Sequence, residues 1–231
     1  MLGLANSITA GGLPATDFLL TSVSGLQLWL KNATGQTTAT GISQWADQSG
    51  NDNHAAQSTG SNQPALLNGG AHFDGTDDFF DITEIELDLF HVFIVVTLDA
   101  ESNETLLGGT NQNFFRLAHG GSTSDGRFRA TSSSGNVNIT FSAVVEDDTK
   151  MLFELVRNDD NELISIKNGT TLSTDSSDGG TFPWKPTQIG CQVDGATPLD
   201  GKIDELVIYN AVLSGENLTN VRADINTRNG L

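Results

Sequence analysis

The sequence has one cysteine, Cys191, in 231 residues. It has no partner for an intramolecular disulfide, so a disulfide-stapled secreted domain is disfavoured. Folding in a reducing cytosol, or an exterior protein that does without disulfides, is expected. Basic residues are also scarce, 11 Lys and Arg against 29 Asp and Glu, for a formal net charge of −18. Phosphate backbones repel such a chain. Direct nucleic-acid binding would need a local basic patch, and the linear sequence shows none. No run of about 18 apolar residues occurs, so membrane insertion through a helix is not expected. The first Lys or Arg is Lys31, and Met1–Leu20 holds no long apolar core, so no secretory signal peptide is expected either.

Thr, Asn and Gly (25 of the last) are abundant, and they favour strands, turns and loops over helices. Hydrophobic residues make up 37% of the chain, enough for a packed core. One all-β domain fits this length.

Residues 1–24 show no clean periodicity and are read as an N-terminal arm, with the folded domain at 25–231. Its apolar side chains Leu2, Leu4, Ile8, Leu13 and Phe18 are the candidate contacts for a partner. From Leu26, apolar and polar residues alternate, with Trp29 on the second face of the strand. Short strand-like runs separated by turn residues follow. Phe90–Leu98 is the most apolar and belongs mid-sheet, covered on both sides. Arg157–Glu162 and Asn168–Gly169 read as hairpin turns. The interrupted alternation around Asp204–Glu205 predicts a bulge or a strand buried on both sides. After Ser214, Leu218, Val221 and Ile225 recur at helical spacing before Gly230. The pattern predicts an all-β fold, a two-sheet antiparallel sandwich with one short C-terminal helix on its outside.

Three segments carry a resemblance. GLQLWLKNATG…ISQWADQSGNDNHAAQ (25–57), QPALLNGGAHFDGTDDFFDI (63–82) and LDGKIDELVIYNAVLSGENLTNVRADIN (199–226) are similar to the laminin-G-like, or concanavalin A-like, jelly-roll superfamily. The resemblance implies a jelly-roll sandwich, a fold shared by lectins, adhesins, hydrolases and structural modules. It also implies calcium in loops at the sandwich rim. The opening MLGLANSI resembles the start of virion structural proteins of marine cyanophages. That implies a virion protein assembled in the host cytoplasm, docked to other virion proteins through its arm, and engaging a host surface glycan. A capsid decoration, a tail fibre or adhesin, and a homo-oligomer all stay open. So do two alternatives: a lectin module outside any virus, and a glycoside hydrolase or lyase.

Two oxygen-rich loops are the candidate calcium ligands: Asp47, Asn51, Asp52 and Asn53, and then Asp74, Asp77 and Asp78. Turn chemistry explains the same residues without a metal. Glu84, Glu86 and Asp88 alternate along an extended segment and share one face. They resemble the carboxylate set of hydrolases with this fold, but a solvated connector is the favoured reading and no catalytic residue is expected. Trp184, between Pro183 and Pro186, is the candidate exposed aromatic for stacking on a sugar. Trp29 and Trp45 read as core.

Overall fold

The computed structural model describes residues 18–99, 102–110, 113–132, 135–146, 148–176, 183–193 and 195–231. In chain order the strands are β1 (Leu26–Leu30), β2 (Gln36–Thr38), β3 (Ile42–Trp45), β4 (Ala55–Ala56), β5 (Ala65–Leu67), β6 (Gly70–Asp74), β7 (Phe80–Asp81) and β8 (Phe90–Leu98). They continue as β9 (Glu104–Gly109), β10 (Asn113–Leu117), β11 (Asp125–Ser132), β12 (Gly135–Ser142), β13 (Met151–Arg157), β14 (Glu162–Lys167), β15 (Thr170–Ser176), β16 (Gln188–Ile189) and β17 (Asp200–Tyr209). One helix, α1 (Gly215–Asn229), closes the chain.

The first sheet runs β15-β14-β13-β8-β17-β6-β5; β1 also pairs with β17, beside its second half, where β6 does not reach. The second runs β12-β11-β10-β9-β16-β7-β4-β3-β2. The described pairings are antiparallel, so the chain is a two-sheet jelly-roll sandwich. The register of β17 against β8 slips between Ile203 and Glu205, and the strand is buried on both faces from Ile203 on, so both readings of the broken alternation hold.

Strand β8 shows why the sandwich has two hydrophobic layers. Val92, Ile94 and Val96 point into the main core with Phe115, Phe128 and Phe141 of the second sheet. Phe93 and Val95 point the other way, into a second cluster with Trp29, Leu152, Val207 and Tyr209. Helix α1 covers that outer face through Val221 and Ile225. Two buried carboxylates beneath it need partners, because an unpaired charge there would cost several kcal/mol. Arg222 pairs with Glu154 at 2.8 Å and Arg228 with Glu205 at 2.9 Å. Glu205 also accepts from Trp29 Nε1 at 2.7 Å and from Asn229 Nδ2 at 2.6 Å. No helix among the described residues is long and apolar enough to cross a membrane.

The expected arm boundary at residue 24 needs correction. Leu20 and Val23 are buried in the second cluster, and Tyr209 Oη donates to the Leu20 carbonyl oxygen at 3.2 Å. Residues 18–24 therefore belong to the sandwich, because the upper part of this sheet face has apolar side chains that α1 alone does not cover. Phe18, a candidate partner contact, packs against the chain's own second cluster instead. Leu2, Leu4, Ile8 and Leu13 lie outside the described residues.

Candidate functional site

The first oxygen-rich loop does not gather as a ligand set. Asp47 Oδ1 accepts from the backbone N–H groups of Trp29 and Ser49 at 2.9 and 2.8 Å. Its Oδ2 accepts from Ser49 Oγ at 2.6 Å and Asn53 N at 3.0 Å. The side-chain amides of Asn51 and Asn53 turn their N–H groups to the backbone carbonyls of Leu26 and Gln27, at 2.9 Å each. Asp52 is exposed and in a left-handed conformation (φ 59°). The loop is a polar staple on β1: both Asp47 oxygens already accept from β1 and loop donors.

The second loop does converge. One carboxylate oxygen from each of Asp74, Asp77 and Asp78 lies within 4.8 Å of the others. Phe73 enters the core, and Gly75 (φ 72°) turns the chain where a Cβ would sit 2.9 Å from the Asp200 side chain. Asp74 Oδ1 accepts from the N–H groups of Thr76 and Asp77, and Asp78 Oδ2 accepts from Asp74 N–H at 3.1 Å. Burial, reinforced by the adjacent Asp74 charge, pushes the Asp78 carboxyl up to about 6. Burial, then the charge of Asp99, also pushes Asp200 upward. His72, 2.8 Å from Asp99, is the neighbouring basic side chain.

Trp184 is not exposed. Its backbone bridges antiparallel to Leu87, which turns the indole into the sandwich, where it has 0% exposure. There it packs against Phe90 and Phe128, with ring centroids 5.1 and 5.2 Å away. The flanking prolines stiffen the segment without lifting it off the core. On the facing segment Ile85 and Leu87 point inward, while Glu84, Glu86 and Asp88 point to solvent. Lys185 pairs with both glutamates, 3.0 Å from Glu84.

An arrangement absent from the linear reading lies on the outer face of the second sheet. On β11, Phe128 and Ala130 face the core, so Arg127, Arg129 and Thr131 face outward. In register, Arg127 lies opposite Arg116 on β10 and Thr140 on β12; Arg129 lies opposite Phe114 and Asn138. Three arginines thus share one patch. Arg116 stacks over the Phe114 ring at 4.1 Å and donates to Thr105 Oγ1 at 2.9 Å, Thr197 Oγ1 at 2.9 Å and Gln192 Oε1. Arg127 donates to Asn138 Oδ1 at 2.7 Å and lies 3.0 Å from His119 Nε2. Burial, with Arg127 adding repulsion, lowers Arg116 to about 10; burial and the same arginines hold His119 below its ordinary value. A guanidinium can only donate, so His119 Nε2 accepts from Arg127.

No protein-family model and no curated protein matches the sequence. Solved structures do. Trypanosoma rangeli sialidase aligns with a TM-score of 0.57 at 15% identity, over 89% of this chain and 34% of that one. The binding domain of Paraclostridial Mosquitocidal Protein 1 aligns with a TM-score of 0.53 at 14% identity, over 90% of this chain and 53% of that one. The Ruminococcus gnavus IT-sialidase CBM40 aligns with a TM-score of 0.49 at 16% identity, over 66% of this chain and 95% of that one. The likeness shows the fold. This jelly roll spans about a third of the sialidase and about half of the mosquitocidal chain.

Its arginine patch had one signal in the sequence, the Arg127-x-Arg129 spacing on a strand, which puts both on one face. The third member, Arg116, joins only through strand pairing. The absence of a basic run along the chain therefore did not mean the absence of a basic patch in space.

Proposed function

We propose that this protein is a non-enzymatic, glycan-binding jelly roll displayed on a phage particle, with the outer face of β10–β12 as its binding surface. The observation that carries this reading is the contrast between the two outer faces. The middle of the first sheet's outer face, over β1, β17, β8 and β13, is covered by α1 and residues 18–24. The second presents half-buried Arg127, Arg129 and Thr131 beside exposed Asn136, Asn138 and Thr140. Amides, hydroxyls and guanidinium groups fixed on a rigid sheet suit hydroxyl-rich ligands. The virion part of the reading rests on the resemblance of residues 1–8, and makes the segment before residue 18 the link to other virion proteins. Calcium belongs to the same reading as the ion of Asp74, Asp77 and Asp78, where three carboxylates gather and Asp74 and Asp78 each keep one oxygen clear of the bonds above.

A glycan panel tests the binding claim: selective binding that is lost when Asn138 and Arg129 are both replaced by Ala supports it, and a flat panel refutes it. Detection of the chain in purified particles supports the virion claim, and its confinement to the soluble lysate refutes that claim alone. Melting in millimolar calcium against chelator tests the ion. A calcium-dependent rise that disappears in Asp77→Asn is expected, and no rise rejects the ion.

A further inference from the structure

Six of the eleven Lys and Arg residues are held in ion pairs: Lys150, Lys167, Lys185, Lys202, Arg222 and Arg228. Arg116, Arg127 and Arg129 have no ion pair among the described residues, although the chain carries 29 carboxylates. Three like charges concentrated on adjacent strands oppose folding through mutual repulsion; Asp125 shares their face of β11 but forms no ion pair with them among the described residues, so their placement suits a further anion. A second observation points the same way. Arg129 Nε and Thr131 Oγ1, two residues apart on the outward side of β11, and His119 Nδ1 at the Arg127 end, are buried without a hydrogen-bond partner among the described residues. Buried donors without acceptors are uncommon and costly.

We infer that Arg127 and Arg129, with Arg116 as their orienting neighbour, form a recognition site for an anionic saccharide, one bearing carboxylate or sulfate groups. This rests on the glycan-binding reading above and narrows it. The guanidinium of Arg129 supplies donors in the fork geometry that fits carboxylate or sulfate oxygens. Asn136 and Asn138 on β12, both exposed, meet ring hydroxyls. Arg116, tied to Thr105, Gln192 and Thr197, lies opposite Arg127 in the strand register and adds its charge to the patch. A nucleic acid is disfavoured as the anion, because a polyphosphate longer than this patch would run against the rest of a chain whose net charge is −18.

The test is native affinity electrophoresis of the full chain through gels containing polygalacturonate, dextran sulfate, neutral dextran or single-stranded DNA. Retardation by polygalacturonate or by dextran sulfate is expected, and which of the two retards assigns carboxylate or sulfate. Arg127→Gln/Arg129→Gln is expected to weaken it at least about tenfold, from the value of charge-assisted hydrogen bonds. A Lys31→Gln/Lys185→Gln control loses the same charge away from the patch and should keep binding. Arg129→Lys, which retains charge but loses the fork, should weaken it too, and serves if the double variant does not fold. Retardation by neutral dextran that the arginine variants leave intact overturns the anionic site while sparing glycan binding. Equal loss in the lysine control, or retardation by DNA alone, also overturns it. No retardation in either anionic gel overturns it as well, and the glycan panel then decides the broader reading.

Discussion

Replacing Trp184 with Ala separates a core tryptophan from a ligand-stacking one. The indole is fully shielded between Phe90 and Phe128, so truncation removes roughly 200 Å² of buried aromatic surface. At about 25 cal/mol per Å² that is about 5 kcal/mol. The Nε1–H has no hydrogen-bond partner among the described residues, and its removal returns about 1–2 kcal/mol. A net loss of about 3–4 kcal/mol follows, within the usual range for aromatic-to-Ala changes in cores. For a domain of this size it corresponds to a fall in Tm of about 6–16 °C. Calorimetry or thermal circular dichroism reads the fall, and glycan binding per folded molecule should not change. Trp184→Phe removes the N–H but keeps most of the ring, and should lie within about 1–2 kcal/mol of the parent. A Tm within about 2 °C of the parent for Trp184→Ala, together with lost binding, would put the indole on the surface and refute the packing.

Glu205→Ala strips Trp29 Nε1, Arg228 and Asn229 of a shared acceptor and should cost about 3 kcal/mol in denaturant melts, because buried donors lose their partner and Arg228 keeps its pair with Asp224 alone. Asp78 has a folded-state pKa raised from 3.8 to about 6, so the folded chain binds the extra proton between those values. Its contribution to stability is fully present below pH ~4 and lost as pH rises through ~6, on the order of 2 kcal/mol. Asp78→Asn should remove that part of the pH dependence and melt higher than the parent at pH 7 in chelator; an unchanged difference across the window contradicts it. Deleting residues 1–24 should lower Tm because Leu20 and Val23 leave the second cluster, whereas deleting 1–17 spares both, and equal melting of the two truncations would place residues 18–24 outside the domain.

The parts of the fold legible in the sequence are those whose partners lie close by or whose pattern states its burial. Phe90–Leu98 is apolar on both faces, and it lies between β13 and β17 with a core on each side. Asn168–Gly169 closes the β14–β15 hairpin with both residues at positive φ, 48° and 78°. Strand β9 is hard to see in the sequence, because it ends in Gly108–Gly109, which reads as a turn. In the fold the glycines admit a covering segment, since a Cβ on Gly108 would lie 2.1 Å from the Cys191 carbonyl oxygen. The short, polar strand β2 has no apolar alternation to announce it. Trp184 misled because two prolines suggest a surface loop, while its burial depends on the long-range bridge to Leu87. The loops rich in Asp and Asn look alike in sequence. Only hydrogen bonding separates the one that staples β1 from the one whose carboxylates converge.

The central claim is that the outer face of β10–β12 is where ligand meets protein. The arginine Nε–Hε resonances of the full chain, followed by NMR during titration with a galacturonate oligosaccharide and then with a sulfated one, test it most directly. Arg129 and Arg127 should shift most and saturably with one of the two, Arg116 less, while Arg222 and Arg228, tied beneath α1, stay fixed. Equal drift of every arginine, or shifts confined to Arg222 and Arg228, would contradict it.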